Sequence, residues 1–253
     1  QHDTMLMSKK YMSSVWSWDH CFNALAMAKI SKQKAMEQFE APFVLQSEHG
    51  VLPDMWNPHS EIVWGVTKPP IHGWCFSRLM DQYDFDAAEL RKVFGYLKKL
   101  TGGWDNATLF DCGFFVETPD LPAFLILQMQ TLSRIAKELE KKEDTSCCWT
   151  KEAEHWEKEA NELLERFYEH SWNGERFVAK MSGSHACDGN STCLLGLMPL
   201  VLGELLDKEK REKLKTILEK DFLTANGLAT EMPSSKEYES DGYWRGPIWA
   251  PTT

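Results

Sequence analysis

The sequence lacks a long apolar segment, a metal-ligand motif and a nucleotide-binding loop. No run of about 18 apolar residues is present, so a membrane-spanning helix is not expected. No HExxH or similar ligand spacing occurs, and there is neither a P-loop nor a GxGxxG motif, so we expect no metal and no cofactor. No Ser-His-Asp or Cys-His arrangement is evident either. These absences leave chemistry that carboxylates and aromatic side chains carry out.

Basic residues are fewer than acidic ones, 28 against 38. The formal net charge is −10, which argues against a nucleic-acid partner. The seven cysteines are an odd number without paired CxxC motifs, and we interpret them as reduced thiols. The first residues, "QHDTMLMSKKYMSS", lack the pattern of a signal peptide, and no initiator Met is present. We therefore expect a cytoplasmic protein from which upstream sequence has been removed.

The pattern of apolar residues is helical along most of the chain. With 253 residues, the chain is long enough for one substantial core, and no linker divides it. Apolar helices alternate with strongly charged ones, a pattern typical of a two-layer helical barrel. We expect helices at "KQKAMEQFEAPFVLQS" and "STCLLGLMPLVLGELL", and another that starts at Pro247. A short strand pair is expected at "SWNGERFVAKM", where Asn-Gly favours a tight turn.

Aromatic residues are abundant, with eleven tryptophans. Most tryptophans in proteins fill the core, but a high count is also found where aromatic rings stack on ligands. Several stand in long loops that also carry prolines and acids, among them "VLPDMWNPHSEIVWGVTKPP" and "TGGWDNATLFDCGFFVETPD". Long loops in a compact domain are usually functional.

Two aspartates stand next to tryptophans in these segments. Asp105 follows Trp104 after a glycine pair, where a partly dry loop would raise the pKa of the acid for general-acid catalysis. Asp19 follows Trp16 and Trp18 near the start of a helix. A carboxylate flanked by indoles suits a sugar, because the acid accepts hydrogen bonds from hydroxyls while an indole covers the apolar face. The alternative is that both are ordinary helix-terminal or loop aspartates.

The third candidate segment is "GYWRGPIWAP", near the end of the sequence. Arg245, between Trp244 and Trp249, is placed to hold a ligand oxygen or a carboxylate. An ordinary buried ion pair is the alternative. Taken together, the residues predict an acidic, aromatic pocket that binds sugars and hydrolyses a glycosidic bond.

These motifs resemble a known family. "VWSWDHCFNALAMA", "KPPIHGW", "GGWDN" and "GYWRGPIWAPT" occur in the order seen in glycoside hydrolase family 63, and the trehalases of family 37 share a looser version. The resemblance spans Trp16 to Thr253. It implies an all-α, (α/α)6 barrel and inverting hydrolysis of α-glycosides such as mannosylglycerate, glucosylglycerate and glucosylated oligosaccharides. Small sugars or oligosaccharides are thus the expected partners.

Carried over by position, the resemblance makes Asp105 the general acid. Trp16 and Asp19 match residues that contact the sugar in the −1 subsite, and Tyr243, Trp244 and Arg245 match a motif that lines the pocket. The candidate substrate-binding residues are Trp16, Trp18, Asp19, Lys68, His72, Trp104, Tyr243, Trp244, Arg245 and Trp249.

The sequence departs from the family pattern at two motifs. Lys68 stands where the family has glutamine, and lysine donates hydrogen bonds only and carries charge, which would suit an acidic aglycone. Thr101 and Gly102 replace a Glu-Ser pair of the family, which removes one expected substrate contact.

The resemblance also places the general base, a glutamate, after the "YWRGPIW" motif and beyond Thr253. We therefore expect a truncated barrel, with Glu231, Glu237 and Glu239 as the local acids considered as substitutes. Two other functions remain open. One is a non-catalytic carbohydrate-binding barrel, and the other is a terpenoid-cyclase-like toroid, against which the lack of a DxDD-type cluster counts.

Overall fold

The computed structural model describes most of the chain as two compact units. The described residues are 4–6, 12–57, 59, 62–64, 68–100, 115–143, 146–189, 192–242 and 244–248. The first unit contains residues 1–105 and 124–161, and the second contains residues 106–123 and 162–253. None of the helices in the described ranges is long and apolar enough to cross a membrane.

Helices make up most of the described chain, as the periodicity predicts. They are α1 (Asp19–Met27), α2 (Lys32–Glu40), a 3-10 helix (Ala41–Leu45), α3 (His72–Met80), α4 (Ala87–Lys99), α5 (Asp120–Lys142), α6 (Ser146–Ser171), a second 3-10 helix (Leu194–Leu205), α7 (Lys208–Ile217) and a π-helical turn (Leu218–Phe222).

The strands are only two or three residues long, and all pair antiparallel. They are β1 (Val15–Trp16), β2 (Met55–Trp56), β3 (Val116–Glu117), β4 (Ala179–Met181), β5 (Asp188–Gly189), β6 (Leu223–Thr224) and β7 (Gly227–Leu228). Strand β1 pairs with β2, β6 pairs with β7, and β4 lies between β3 and β5 in a three-stranded sheet.

Local sequence signals set several helix ends. At α4, Asp86 accepts a hydrogen bond from the backbone N–H of Glu89, and the Glu89 side chain accepts one from the backbone N–H of Asp86. This capping box satisfies two N–H groups that otherwise lack a helical partner. Pro69 and Pro70 precede α3, where proline is tolerated because the first helical N–H groups have no partner within the helix.

An aromatic core fixes α3 within the first unit. Phe76 of α3 lies 5.4 Å from Phe39 and 4.9 Å from Phe85, measured between ring centroids. On the same helix, a Cβ added to Gly73 would lie 2.6 Å from the Cα of Gln128. Only glycine permits this approach of α3 to α5. The packing holds the N-terminal end of α3, which carries His72, in a fixed position.

In the second unit, the Asn-Gly signal marks a tight turn, as expected. Asn173 Oδ1 accepts hydrogen bonds from the backbone N–H groups of Glu175 and Arg176, and Gly174 has a φ of +100°. The pairing around the turn is a single bridge between Trp172 and Phe177. Strand β4, which follows, pairs with β3 and β5 instead of the segment before the turn.

Prolines alter the two apolar segments that were expected to be plain helices. After Glu40 the first continues as a 3-10 helix with Pro42 in its first turn, because proline has no N–H to continue the α-helical ladder. The second is the 3-10 helix Leu194–Leu205. It contains Pro199, and Gly203 breaks its helical path with a φ of +55°.

The expected helix start at Pro247 is wrong. The Thr230 hydroxyl donates to the Pro247 carbonyl at 3.1 Å, and Ile248 forms an antiparallel bridge with Ala229. These bonds tie residues 247 and 248 to the segment around Ala229, and residues 244–247 form bends, not a helical turn.

Candidate functional site

Polar residues collect at the start of α1, in the first unit. The β1–β2 pairing brings the Ser17 N–H to within 2.9 Å of the Asp54 carbonyl oxygen, so Asp54 lies beside the first turn of α1. Asp19 begins that helix. We call Trp16, Asp19, Asp54, Lys68 and His72 the α1 cluster.

Asp19 is buried, and burial raises the pKa of its carboxyl group to about 6. Its backbone hydrogen bond and the nearby Lys68 ammonium act in the opposite direction, while the Asp54 carboxylate adds to the rise. Desolvation is thus the dominant influence on this acid. At neutral pH Asp19 is mainly ionised and can accept hydrogen bonds, but it takes up a proton readily.

Lys68 and Asp54 form a buried ion pair. The Lys68 Nζ atom lies 3.4 Å from Asp54 Oδ1, and the side chains are only 9% and 8% exposed. The positive charge of Lys68 is therefore balanced within the cluster, near both Asp54 and Asp19. This contact limits the attraction for an acidic aglycone that the sequence alone indicated.

Two buried, neutral histidines, His20 and His72, lie at the start of α1. Burial lowers the pKa of His20 and of His72 to about 4. The Nε2 atom of His72 lies 2.8 Å from the Ser17 carbonyl oxygen, and the Nδ1 atom of His20 lies 3.1 Å from the Trp16 carbonyl oxygen. Both rings therefore fix the short segment that leads into α1.

Three buried nitrogens in this region have no hydrogen-bond partner among the described residues. They are Nε1 of Trp16, Nε2 of His20 and Nδ1 of His72. Buried polar atoms are nearly always hydrogen-bonded, to protein, water or ligand. Two of them belong to the α1 cluster and the third to His20, next to Asp19 in sequence, so we treat the cluster as a candidate ligand site.

Trp18 lies one residue before α1 and packs inward. Its ring meets Phe22 edge-on at 5.5 Å, and the residue is 5% exposed. The structure thus gives Trp18 a packing contact, and a role in binding substrate stays a prediction.

The "YWRGP" segment lies in the second unit and has its own hydrogen bonds. The Glu239 N–H donates to the Arg245 carbonyl oxygen at 2.9 Å, and the Gly246 N–H donates to the Thr230 hydroxyl oxygen at 3.1 Å. A Cβ on Gly246 would lie 2.1 Å from the Glu239 carbonyl oxygen, so only glycine fits after Arg245. Trp244 is buried and Arg245 half-buried.

The three glutamates considered as substitute bases differ in their surroundings. Glu231 is fully buried and accepts a hydrogen bond from the Thr192 hydroxyl. Glu237 and Glu239 are exposed, and Glu237 lies 3.6 Å from Lys236 Nζ.

Four of the predicted site residues lie outside the described residues: Trp104, Asp105, Tyr243 and Trp249. Their roles stay predictions.

Two buried aspartates, Asp54 and Asp120, were not predicted as site residues from the sequence. Asp54 stands in a loop already marked by its tryptophans and prolines, and only the β1–β2 pairing shows that it meets Lys68. In the second unit, Asp120 begins α5, and burial raises the pKa of its carboxyl group to about 6 despite the nearby Thr118 hydroxyl and backbone N–H groups. An aspartate at the start of a helix is common, so its sequence position alone gives no signal.

Comparison with known families matches residues 12–113 and 94–253 to the mannosylglycerate hydrolase MGH1-like glycoside hydrolase domain. No curated protein sequence matches the chain.

Solved structures share the fold. The GH63 mannosylglycerate hydrolase from Thermus thermophilus in complex with Tris matches 98% of this chain and 81% of that chain, with a TM-score of 0.77 and 16% identity. The same hydrolase with Tris and D-glycerate gives the same coverage and identity, with a TM-score of 0.75. With glucose bound, the match covers 94% of this chain and 77% of that chain, at 18% identity and a TM-score of 0.68. The expected all-α, helical-barrel fold class is thereby confirmed.

Proposed function

Because the chain belongs to the mannosylglycerate hydrolase MGH1-like glycoside hydrolase family, we propose that it hydrolyses an α-glycosidic bond with inversion, using Asp105 as general acid. The observation that carries the proposal is the α1 cluster, where a buried carboxylate next to tryptophan lies among unpaired buried nitrogens. Such a surface suits a sugar, whose hydroxyls both donate and accept hydrogen bonds.

In this proposal the α1 cluster binds the sugar ring. Asp19 accepts hydrogen bonds from hydroxyls, and its ionised form is the better acceptor. The Trp16 Nε1–H is a donor without a partner among the described residues. The Lys68–Asp54 pair has no net charge, so ionised Asp19 supplies the negative charge of the cluster at neutral pH.

The reaction itself needs two carboxyl groups. Asp105 protonates the glycosidic oxygen as the bond to the anomeric carbon breaks, while a second carboxylate removes a proton from the attacking water. Inverting enzymes separate the two by about 6.5–9.5 Å, which leaves room for the water. We propose as base the glutamate that the family resemblance places after the "YWRGPIW" motif.

Substrates are proposed from the related structures. The Thermus hydrolase is named for mannosylglycerate and binds D-glycerate and glucose in its crystals. Mannosylglycerate and glucosylglycerate are therefore the first substrates to assay, followed by neutral α-linked oligosaccharides. The cytoplasmic location stays a prediction from the sequence.

Substitution of Asp105 tests the mechanism. In protein that includes the proposed base glutamate, we expect Asp105→Asn to lower kcat on a natural α-glycoside by about 10²–10⁴-fold, because general-acid catalysis contributes on that order. An α-glycosyl fluoride needs no protonation of its leaving group, so the variant should retain much more activity on it. Asp111→Asn, a nearby acid in the same stretch of sequence, is the matched control and should keep normal activity.

Two outcomes would contradict the proposal. Near-normal turnover of the natural substrate by Asp105→Asn would remove Asp105 as the acid. Retention of configuration in the first-formed sugar, followed by NMR, would exclude inversion. If wild-type protein that includes the proposed base glutamate binds sugars but hydrolyses none, the non-catalytic carbohydrate-binding alternative is favoured.

A further inference from the structure

A cluster of two histidines and a glutamate lies in the second unit, among elements that the proposed hydrolysis does not use. Glu117 belongs to β3, His170 to the last turn of α6, and His185 to the turn between β4 and β5. Their ligand atoms all lie within 4.8 Å of one another. We call these three residues the histidine cluster.

The distances within the cluster fit a shared ion. His170 Nε2 lies 2.8 Å from Glu117 Oε2, and His185 Nε2 lies 3.2 Å from Glu117 Oε1. In tetrahedral zinc sites, bonds of about 2.0–2.1 Å separate neighbouring ligand atoms by roughly 3.3 Å. Small side-chain rotations would therefore bring all three atoms to bonding distance of one centre.

The His170 ring is oriented in a way that an ion would explain. Its Nε2 atom is shielded from solvent and makes no hydrogen bond with a described residue, although the Glu117 oxygen is so close. The carboxylate thus lies to the side of the nitrogen's bonding direction. Two ligands of one metal have this relation, because each points at the metal and not at the other.

The surroundings hold the three side chains in place. The Ser182 hydroxyl donates to Glu117 Oε1 at 3.3 Å, and the Gly183 N–H lies near the same carboxylate. His185 has a φ of +54°, and it is the one non-glycine residue with a positive φ in the described ranges. Hydrogen bonds from outer residues orient the ligands in known metal sites.

We propose that Glu117, His170 and His185 bind a divalent cation of the zinc type, which ties the end of α6 to β3 and the β4–β5 turn. Two imidazoles and one carboxylate are a ligand set of zinc, whereas magnesium and calcium prefer oxygen ligands. The side chains are 33–46% exposed, so water has access to the remaining coordination position. The site replaces our expectation from the sequence that the chain holds no metal.

The test is Zn²⁺ binding by the metal-stripped protein, measured by competition with a chromophoric chelator. We expect wild-type protein to bind one equivalent of Zn²⁺, which EDTA should remove. The bound ion should raise the Tm, because it binds only the folded chain. Mg²⁺ should not compete. Glu117→Gln, His170→Gln and His185→Gln should each weaken Zn²⁺ binding by at least about tenfold, since even outer-sphere substitutions cost 10–100-fold.

Matched variants exclude other ligands. His155→Gln alters another exposed α6 histidine, 4.0 Å from Glu159, and should bind Zn²⁺ as wild type does. Cys148→Ser and Cys187→Ser remove the two exposed free thiols in the described ranges and should also change nothing. Circular dichroism of each metal-free variant checks its folding.

Three results would overturn the proposal. One is the absence of a saturable single-equivalent site in the wild-type protein. Another is Zn²⁺ affinity that the three cluster variants leave unchanged. The last needs no variant: a thiolate charge-transfer band in the Co²⁺-loaded wild-type protein would place the metal on cysteines.

Discussion

The α1 cluster and the histidine cluster use the same kinds of side chain under opposite conditions. In the α1 cluster, Lys68 and Asp54 are less than a tenth exposed, and burial raises the pKa of Asp19 and lowers that of His72. In the histidine cluster the side chains are 33–46% exposed. There, burial alone would raise the pKa of Glu117, but contacts with the imidazoles of His185 and His170 outweigh it and lower the pKa.

The difference shows which force sets the charge of each cluster. Where water is excluded, desolvation outweighs the neighbouring charges, so acids hold their protons longer and histidines stay neutral. Where water has access, an opposite charge or hydrogen bond decides. Removing one charged side chain from a buried cluster should therefore lower the free energy of unfolding strongly. Removing one from an exposed cluster should lower it little, unless the cluster holds a bound ion.

The largest expected effect comes from breaking the buried ion pair. Lys68→Met removes the positive charge that pairs with Asp54, whose side chain is 8% exposed. We expect the free energy of unfolding at neutral pH to fall by about 3–5 kcal/mol, the usual range when one member of a buried pair is deleted. Urea denaturation measures the change.

The double variant Lys68→Met/Asp54→Asn tests the cause. Without the charge of Asp54 there is no ion pair left to break, so the double variant should be less destabilised than the sum of the single variants. Lys29→Met, at an exposed lysine that follows α1, is the matched control and should cost little. A loss below about 1 kcal/mol for Lys68→Met would show that the pair is not an energetic feature of the cluster.

The next effect is a pH dependence that belongs to Asp19. The folded chain holds this proton up to about pH 6, whereas the unfolded chain releases it near 3.8, so folded stability falls as pH rises between these values. Asparagine does not titrate, so this fall in stability with rising pH is absent from the Asp19→Asn variant. Relative to wild type, Asp19→Asn should therefore gain about 2 kcal/mol between pH 4.5 and pH 7.

Only the difference between variant and wild type reports on Asp19. Asp120 contributes with the same sign, since its pKa is also raised to about 6. His20 and His72, with pKa values of about 4, contribute with the opposite sign, because the unfolded chain binds their protons more readily. These contributions cancel in the difference. Glu48→Gln, at an 86% exposed acid, is the control, and an equal effect of Asp19→Asn at both pH values would refute the assignment.

Much of the fold could be predicted because helical periodicity is a local signal. The long helices α5 and α6 and the proline entry to α3 follow directly from their sequences. The 3-10 conformation of Leu194–Leu205 could not be predicted, since an apolar run has no periodicity to distinguish an α-helix from a 3-10 helix. There Pro199 and Gly203 determine the backbone.

The candidate site was predictable only in part. Asp19 could be selected from the indoles beside it, but the neighbouring Asp54 is brought there by a strand pairing between distant segments that no local pattern records. The histidine cluster gave no signal at all, because its ligands come from three separate segments without motif spacing. Tertiary contacts, which sequence motifs do not encode, bring both sets together.

The smallest expected effect is on the stability of the metal-free protein when Glu117 loses its charge. Glu117→Gln, measured in EDTA, should lower the free energy of unfolding by less than about 1 kcal/mol, since exposed ion pairs contribute little. The same change from acid to amide at buried Asp54 should cost more. With Zn²⁺ present, the gap between wild type and Glu117→Gln should widen, because only wild type gains the bound ion. If Glu117→Gln instead lowers the free energy of unfolding strongly in EDTA, the Glu117 contacts stabilise the fold without metal. Burial would then not explain the difference between the two clusters.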